Sequence, residues 1–257
     1  AQVEDCKCAI RFLRANADEL GLDRDKIGAI GFSAGGHLVM MLATMDAADG
    51  LEGKGGWADW SSKLNAGGSF LGPTNLQAPY PDRSRPLVEQ FLNGTAQEQP
   101  EAYRASSPIS YVNAGDAPLL LYQGTKDALV PYDQALQMVS ALTEAGVPGR
   151  IEFLLGENHG WRGYERERTL KYSIKFIDEM TNHQTPAEAQ NRTKQNRISR
   201  PAIWASAARK TQQLGIRDQY ALAARKHGNS GFVCLRRTDC YSRLGKFHIR
   251  RRAGGNR

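Results

Sequence analysis

Ser33, Asp127 and His159 are the side chains of this 257-residue chain whose types and placement could together run acyl transfer. Ser33 lies in Gly31-Phe32-Ser33-Ala34-Gly35, followed by Gly36. A nucleophilic serine at a sharp strand-to-helix turn is held in a strained backbone conformation that lifts its hydroxyl above the sheet. Glycines on either side leave room for the neighbouring strand and helix. The backbone N–H of Ala34, at the start of that helix, is then placed to bind an oxyanion as it develops.

A serine hydroxyl attacks well only when a base takes its proton. The chain has five histidines. His37 is four residues after Ser33 on the same helix, so its ring cannot swing round to the hydroxyl, and it reads as a packing or hydrogen-bonding residue. His183 follows the last helical stretch, and His227 and His248 lie in the C-terminal region. His159 follows an apolar strand through Gly156-Glu157-Asn158 and precedes Gly160. That is the end of a strand where open α/β sheets gather their ligands. The base needs an acid to fix its tautomer and balance its charge. Asp127 closes Gly124-Thr125-Lys126-Asp127, just past another apolar strand. Asp116 precedes that strand, at the wrong edge, and Asp133 sits one helical turn further on. A competing reading makes Asp127 a cap for the helix after Pro131. Ser, Asp and His follow one another at separations of 94 and 32 residues, the chain order of α/β hydrolases.

Those residues need strands to end beneath them and helices to cover the sheet. Short apolar runs at Lys26–Phe32, Leu64–Leu71, Pro118–Gln123 and Arg150–Leu155 predict four strands. Helical spacing appears over 3–20 (Val3, Cys6, Ile10, Leu13), ending at Gly21, and over 34–45. It recurs at Leu136, Val139 and Leu142, ending at Gly146, and at Leu170, Ile174 and Ile177. Such alternation predicts an α/β fold: a mostly parallel sheet of about four strands with helices on both faces. Residues 72–116, rich in Pro and polar groups, read as a lid or substrate wall. With 46–62 they would flank the pocket, where Trp57, Trp60 and Tyr80 could meet a sugar or aromatic acid, or else pack on the core.

Charge divides the chain. The net charge is +7, yet residues 184–257 hold 17 Lys and Arg against 3 Asp and Glu. Residues 1–183 carry the opposite sign, with 17 basic and 24 acidic residues. This places a catalytic unit at 1–183 and a basic tail at 184–257, expected to be disordered because its charges repel and its apolar residues are few. Cys6, Cys8, Cys234 and Cys240 lack zinc-site spacing. Cys6 and Cys8 read as small buried side chains on a helix.

Several segments resemble the bacterial lipase/esterase group of α/β hydrolases, the branch related to feruloyl and acetylxylan esterases. They are Asp5-Cys6-Lys7 with Arg11-Phe12-Leu13-Arg14-Ala15-Asn16-Ala17, Gly31 through Leu38, Ala105-Ser106-Ser107-Pro108-Ile109, Gln123 through Pro131, and Gly156-Glu157-Asn158-His159-Gly160. They run in family order across residues 1–182. The resemblance implies a serine carboxylic ester hydrolase acting through an acyl-enzyme on small or carbohydrate-linked esters, with no cofactor and no metal. Its partner would be a small-molecule ester, not a membrane. It also implies a preceding stretch of strands with a His-Gly-Gly-Gly type loop that completes the oxyanion hole. No such loop occurs here. The chain is therefore expected to lack the N-terminal part of the domain, to expose Lys26–Phe32 as a sheet edge, to aggregate and to be nearly inactive. Two other readings compete. One is a prolyl-oligopeptidase-like peptidase, although Ala34 stands where those proteins usually carry an aromatic residue. The other is nucleic-acid or phosphate binding by the tail, through clusters such as Arg250-Arg251-Arg252.

Overall fold

The apolar runs read from the sequence become four parallel strands in the computed structural model, which describes residues 1–182, 220–226 and 229–235. They are β1 (Leu22–Phe32), β2 (Ala66–Phe70), β3 (Leu119–Gly124) and β4 (Gly149–Leu154). The register pairs Gly31 with Ser69, Ser69 with Leu121, and Leu121 with Ile151. The C-terminal ends of all four therefore lie along one edge, where the sequence put the candidate triad.

Side chains alternate across a strand, and each face of this sheet has its own core. Ile27 and Ala29 of β1 and Leu119 and Leu121 of β3 pack with three helices, α1 (Gln2–Ala15), α3 (Ala34–Thr44) and α6 (Asp133–Glu144). Their neighbours Ile30, Leu120 and Tyr122 face the other way, onto Phe176 and Ile177 of α7 (Gly163–Asn182). Each such buried aliphatic side chain stabilises the fold by roughly 1.5–3 kcal/mol relative to exposure.

The helical stretch expected over 3–20 is two helices. Asn16 breaks it, its side-chain amide donating to the Phe12 carbonyl at 2.8 Å, and α2 (Ala17–Leu20) follows. Three basic residues of α1 are buried beside its apolar stripe. Lys7 and Arg11 meet opposite oxygens of Glu52 at 2.9 and 2.6 Å, and Arg14 donates to the Ser61 carbonyl and to Asn65. Burial alone would raise the Glu52 pKa, but bonds from Lys7 and Ser62 and the charges of Lys7 and Arg11 hold it below the usual range. These ties fasten the loop after α3 onto α1. Cys6 and Cys8 are buried and free, as expected.

Residues 72–116 contain two short helices, α4 (Arg85–Leu92) and α5 (Pro100–Ala105), each with Pro in its first turn. Leu76, Leu92 and Tyr103 form a small core of their own beneath them.

The basic tail departs from expectation. Two strands from it, β5 (Tyr220–Lys226) and β6 (Asn229–Leu235), join the sheet. Among the described residues the strand order is β4-β3-β2-β1-β5-β6. β5 runs antiparallel to β1, pairing Ile27 with Ala224 and Gly31 with Tyr220. β1 is thus interior and not the exposed edge the sequence suggested, because backbone pairing needs no apolar run in the partner. The expectation of tail disorder fails for these two strands. For residues 184–219, 227–228 and 236–257 it lies outside the described residues. No helix among the described residues is long and apolar enough to cross a membrane.

Candidate active site

Ser33 ends β1 and opens α3 with φ 53° and ψ −118°, a conformation that side-chain-bearing residues rarely hold. Such strain costs on the order of 1–3 kcal/mol and persists only where the surroundings impose it. Here they do so on both sides. The Ser33 N–H donates to the Phe70 carbonyl of β2 at 2.7 Å, and the His37 N–H donates back to the Ser33 carbonyl at 3.0 Å. A Cβ at Gly31 would stand 2.2 Å from the Gly35 carbonyl oxygen, so the turn closes only over glycine. The Ala34 N–H belongs to the first turn of α3, which has no acceptor within its own helix.

His159 reaches Ser33 from beyond β4. Its Nε2 lies 2.8 Å from Ser33 Oγ, and its Nδ1 lies 2.8 and 3.0 Å from the two carboxylate oxygens of Asp127. Asp127 follows β3 in a tight turn whose N–H groups at Leu129 and Val130 both donate to Oδ1 at 2.9 Å. Its side chain is fully buried, while that of His159 is 18% exposed. Burial favours the neutral acid. The hydrogen bonds from His159, Val130 and Leu129 outweigh it, and the carboxyl is held below its usual range. An ionised Asp127 requires the proton on Nδ1, which leaves Nε2 free to accept the serine proton.

The two loops carrying acid and base are fastened to each other. The Thr125 N–H donates to the Leu154 carbonyl, the Lys126 N–H to the Glu157 carbonyl, and the Gly156 N–H to Thr125 Oγ1. The approach is close enough that a Cβ at Gly124 would stand 2.4 Å from the Asn158 carbonyl oxygen.

The structure thus brings together Ser33, His159 and Asp127, with the Ala34 N–H beside them. The other candidates lie elsewhere. The ring of His37 is buried and hydrogen-bonded to the Ser106 carbonyl at 2.7 Å, and burial lowers its pKa despite that bond. Asp116 is buried before β3, and Asp133 starts α6. Trp57 packs edge-on against Phe12, and Trp60 lies under the Arg24 guanidinium, each at 5.0 Å. Both therefore serve the α1 side and the N-terminal half of β1, not the pocket. Tyr80 packs on the small core under α4, its hydroxyl buried without a partner among the described residues.

Two further residues went unread. Asn158 Oδ1 accepts the N–H groups of His159 and Ala128, and Gln123 Nε2 donates to Asp127. Gln123 had a signal: it is the one amide in the run Leu119-Leu120-Leu121-Tyr122-Gln123. Asn158 had none beyond its place next to His159.

Residues 1–142 match the BD-FAE family. Esterase LipC of Mycobacterium tuberculosis is 30% identical over 188 residues, 64% of this chain and 42% of LipC. The chain thus spans less than half the length of that curated relative. Among solved structures, a truncated carbohydrate esterase from gut microbiota is 26% identical, with a TM-score of 0.62 over 71% of this chain and 69% of that one. Esterase 2 of Thermogutta terrifontis, solved phosphorylated by paraoxon, is 30% identical, with a TM-score of 0.55 over 69% of this chain and 63% of that one.

Proposed function

The chain belongs to the BD-FAE family, and from that premise we propose that it is the catalytic part of a serine carboxylic ester hydrolase acting on small or carbohydrate-linked esters. The observation that carries the reading is the continuous set of bonds from Ser33 Oγ through His159 to Asp127. The likeness to proteins described as esterases, one of them a carbohydrate esterase, supports the substrate class. The unit is assigned to residues 1–183, with 184–257 as an appended segment that lends two strands to the sheet.

Ser33 Oγ attacks the ester carbonyl carbon as His159 Nε2 takes its proton. The carbonyl oxygen gains the charge and is met by the Ala34 N–H. Asp127 balances the imidazolium without taking its proton. His159 then protonates the leaving alcohol, which leaves an acyl group on Ser33. A water, deprotonated by the same Nε2, attacks that acyl group and releases the acid. Every proton in this cycle is carried by His159, so the chemistry calls for no metal or organic cofactor.

Paraoxon tests the nucleophile directly, since the serine oxygen displaces p-nitrophenolate and keeps the diethylphosphoryl group. The full chain should gain one diethyl phosphate, mapped by mass spectrometry to the peptide containing Ser33, and Ser33→Ala should gain none. Labelling of another residue, or equal labelling of both proteins, would refute the assignment.

A further inference from the structure

Gln123 is the last side chain before the glycine that ends β3, and it is 1% exposed. Its Nε2 lies 3.1 Å from Asp127 Oδ2 and 2.9 Å from the Val130 carbonyl oxygen. Both neighbours only accept, so the amide nitrogen, not the oxygen, must face them. With both hydrogens engaged, the amide cannot turn without stranding a buried partner.

Asp127 needs that contact for a geometric reason. Oδ1 is held by two backbone N–H groups, whereas among the described residues Oδ2 is held, apart from His159, by Gln123 alone. The carboxylate torsion is intrinsically broad. His159 Nδ1 sits between the two oxygens at 2.8 and 3.0 Å, so a rotation of the carboxylate carries the imidazole with it. At the far side of the ring, Nε2 must stay within hydrogen-bond reach of Ser33 Oγ.

We propose that Gln123 is a positioning residue of the ester-hydrolysis site, fixing the Asp127 carboxylate so that His159 stays aimed at Ser33. The proposal rests on the triad reading given above. Gln123 touches no reacting atom and acts only through Asp127.

The test is the pH profile of p-nitrophenyl acetate hydrolysis by the full chain, compared among wild type, Gln123→Leu, Gln123→Glu and Ser33→Ala. Wild type should rise with pH and then level off. Gln123→Leu should be roughly ten- to a hundredfold slower, the rate equivalent of one lost hydrogen bond to a charged group. Gln123→Glu separates positioning from packing. As the neutral acid it donates to Asp127 and should track wild type on the acid side. As pH rises it ionises beside a second carboxylate, the bond turns repulsive, and the rate should fall. A bell in place of a plateau is therefore expected. A wild-type-shaped profile in Gln123→Glu, at full or uniformly reduced rate, overturns the positioning role. If Ser33→Ala matches wild type, the triad reading itself fails. If Ser33→Ala is dead and Gln123→Glu keeps the plateau, only the role of Gln123 fails.

Discussion

Asn158 Oδ1 accepts the N–H of Ala128 at 3.1 Å, joining the residue before the candidate base to the residue after the candidate acid. The same oxygen accepts the N–H of His159 at 2.7 Å. One side chain thus adds to the bonds that Thr125, Lys126 and Gly156 already make between the loops. Asn158→Ala should leave both N–H groups without this acceptor. We expect a loss of about 1 kcal/mol in stability and about tenfold in turnover. Asn158→Asp keeps the acceptor and should retain more of the melting temperature. Melting curves and rates for the two variants check this, and identical behaviour would show the bond to be idle.

Ser33→Ala should abolish turnover and leave the fold intact, because the hydroxyl packs against little. Ser33→Gly should be equally inactive and more stable than Ser33→Ala. Glycine accepts φ 53° without the Cβ penalty, and the difference should be on the order of 1 kcal/mol. Thermal melts of the two variants decide it. An alanine variant as stable as the glycine one would mean that the turn is not strained.

Asp127→Asn should cost about 10⁴ in rate with the site geometry nearly unchanged, since the amide favours the wrong imidazole tautomer. The stability effect depends on pH. The Asp127 carboxyl ionises more readily in the folded protein than in the unfolded chain. Its ionised form therefore stabilises the fold above the ordinary carboxylate range, and that contribution fades as pH falls through the folded value. The melting gap between wild type and Asp127→Asn should shrink on acidification. A gap that stays constant down to the acid limit of folding would contradict the hydrogen-bond account.

The candidate site was legible because each of its members follows an apolar strand: Ser33 after Lys26–Phe32, Asp127 after Pro118–Gln123, His159 after Arg150–Leu155. Strand ends on one edge of a parallel sheet converge whatever the loops do. The strands β5 and β6 were not legible. Ala221, Ala223 and Ala224 favour helix over strand, and Arg225 and Lys226 sit in a region dominated by positive charge. What makes that segment a strand is the hydrogen-bonding edge of β1, a partner nearly two hundred residues earlier that no local window contains. The short helices α4 and α5 escaped for the opposite reason, being too brief to show a period. The buried cations of α1 were hidden because charge reads as exposure until Glu52 is seen beside Lys7 and Arg11.

Asp116 gives a second pH-dependent expectation with the opposite sign. Burial pushes its carboxyl from 3.8 up to about 7, against the Asn113 N–H and the Lys63 charge, with Asp46 and Asp49 adding to the rise. One of its oxygens is buried without a partner among the described residues, and the other accepts the Asn113 N–H at 2.9 Å. The folded protein then holds a proton that the unfolded chain releases between those values, so stability declines as pH rises through that window. Asp116→Asn keeps the acceptor for Asn113 and removes the titration. Its melting temperature relative to wild type should climb from pH 4 to pH 7 and level off above. A difference independent of pH would place Asp116 in contact with water.

Removing residues 184–257 should destabilise the body of the protein, although the sequence alone marks that segment as foreign to it. β1 lies between β2 on one side and β5 on the other, and Ile27 through Gly31 pair with β5 residue by residue. Those β1 positions are buried. Without β5, their N–H and C=O groups on that side lose their partners while keeping an apolar setting. Each such group costs roughly 1–3 kcal/mol, and water can recover part of that only by entering the core. An uncovered apolar strand is also a template for strands of other chains. We therefore expect residues 1–183 alone to melt lower than the full chain and to elute as larger species in size-exclusion chromatography. A chain ending at 235 keeps β5 and β6 and should behave like the full protein, which separates loss of the strands from loss of the remaining basic residues. If the 1–183 chain is a soluble monomer with an unchanged melting temperature, β5 contributes nothing to the sheet, and the interior position of β1 must be given up.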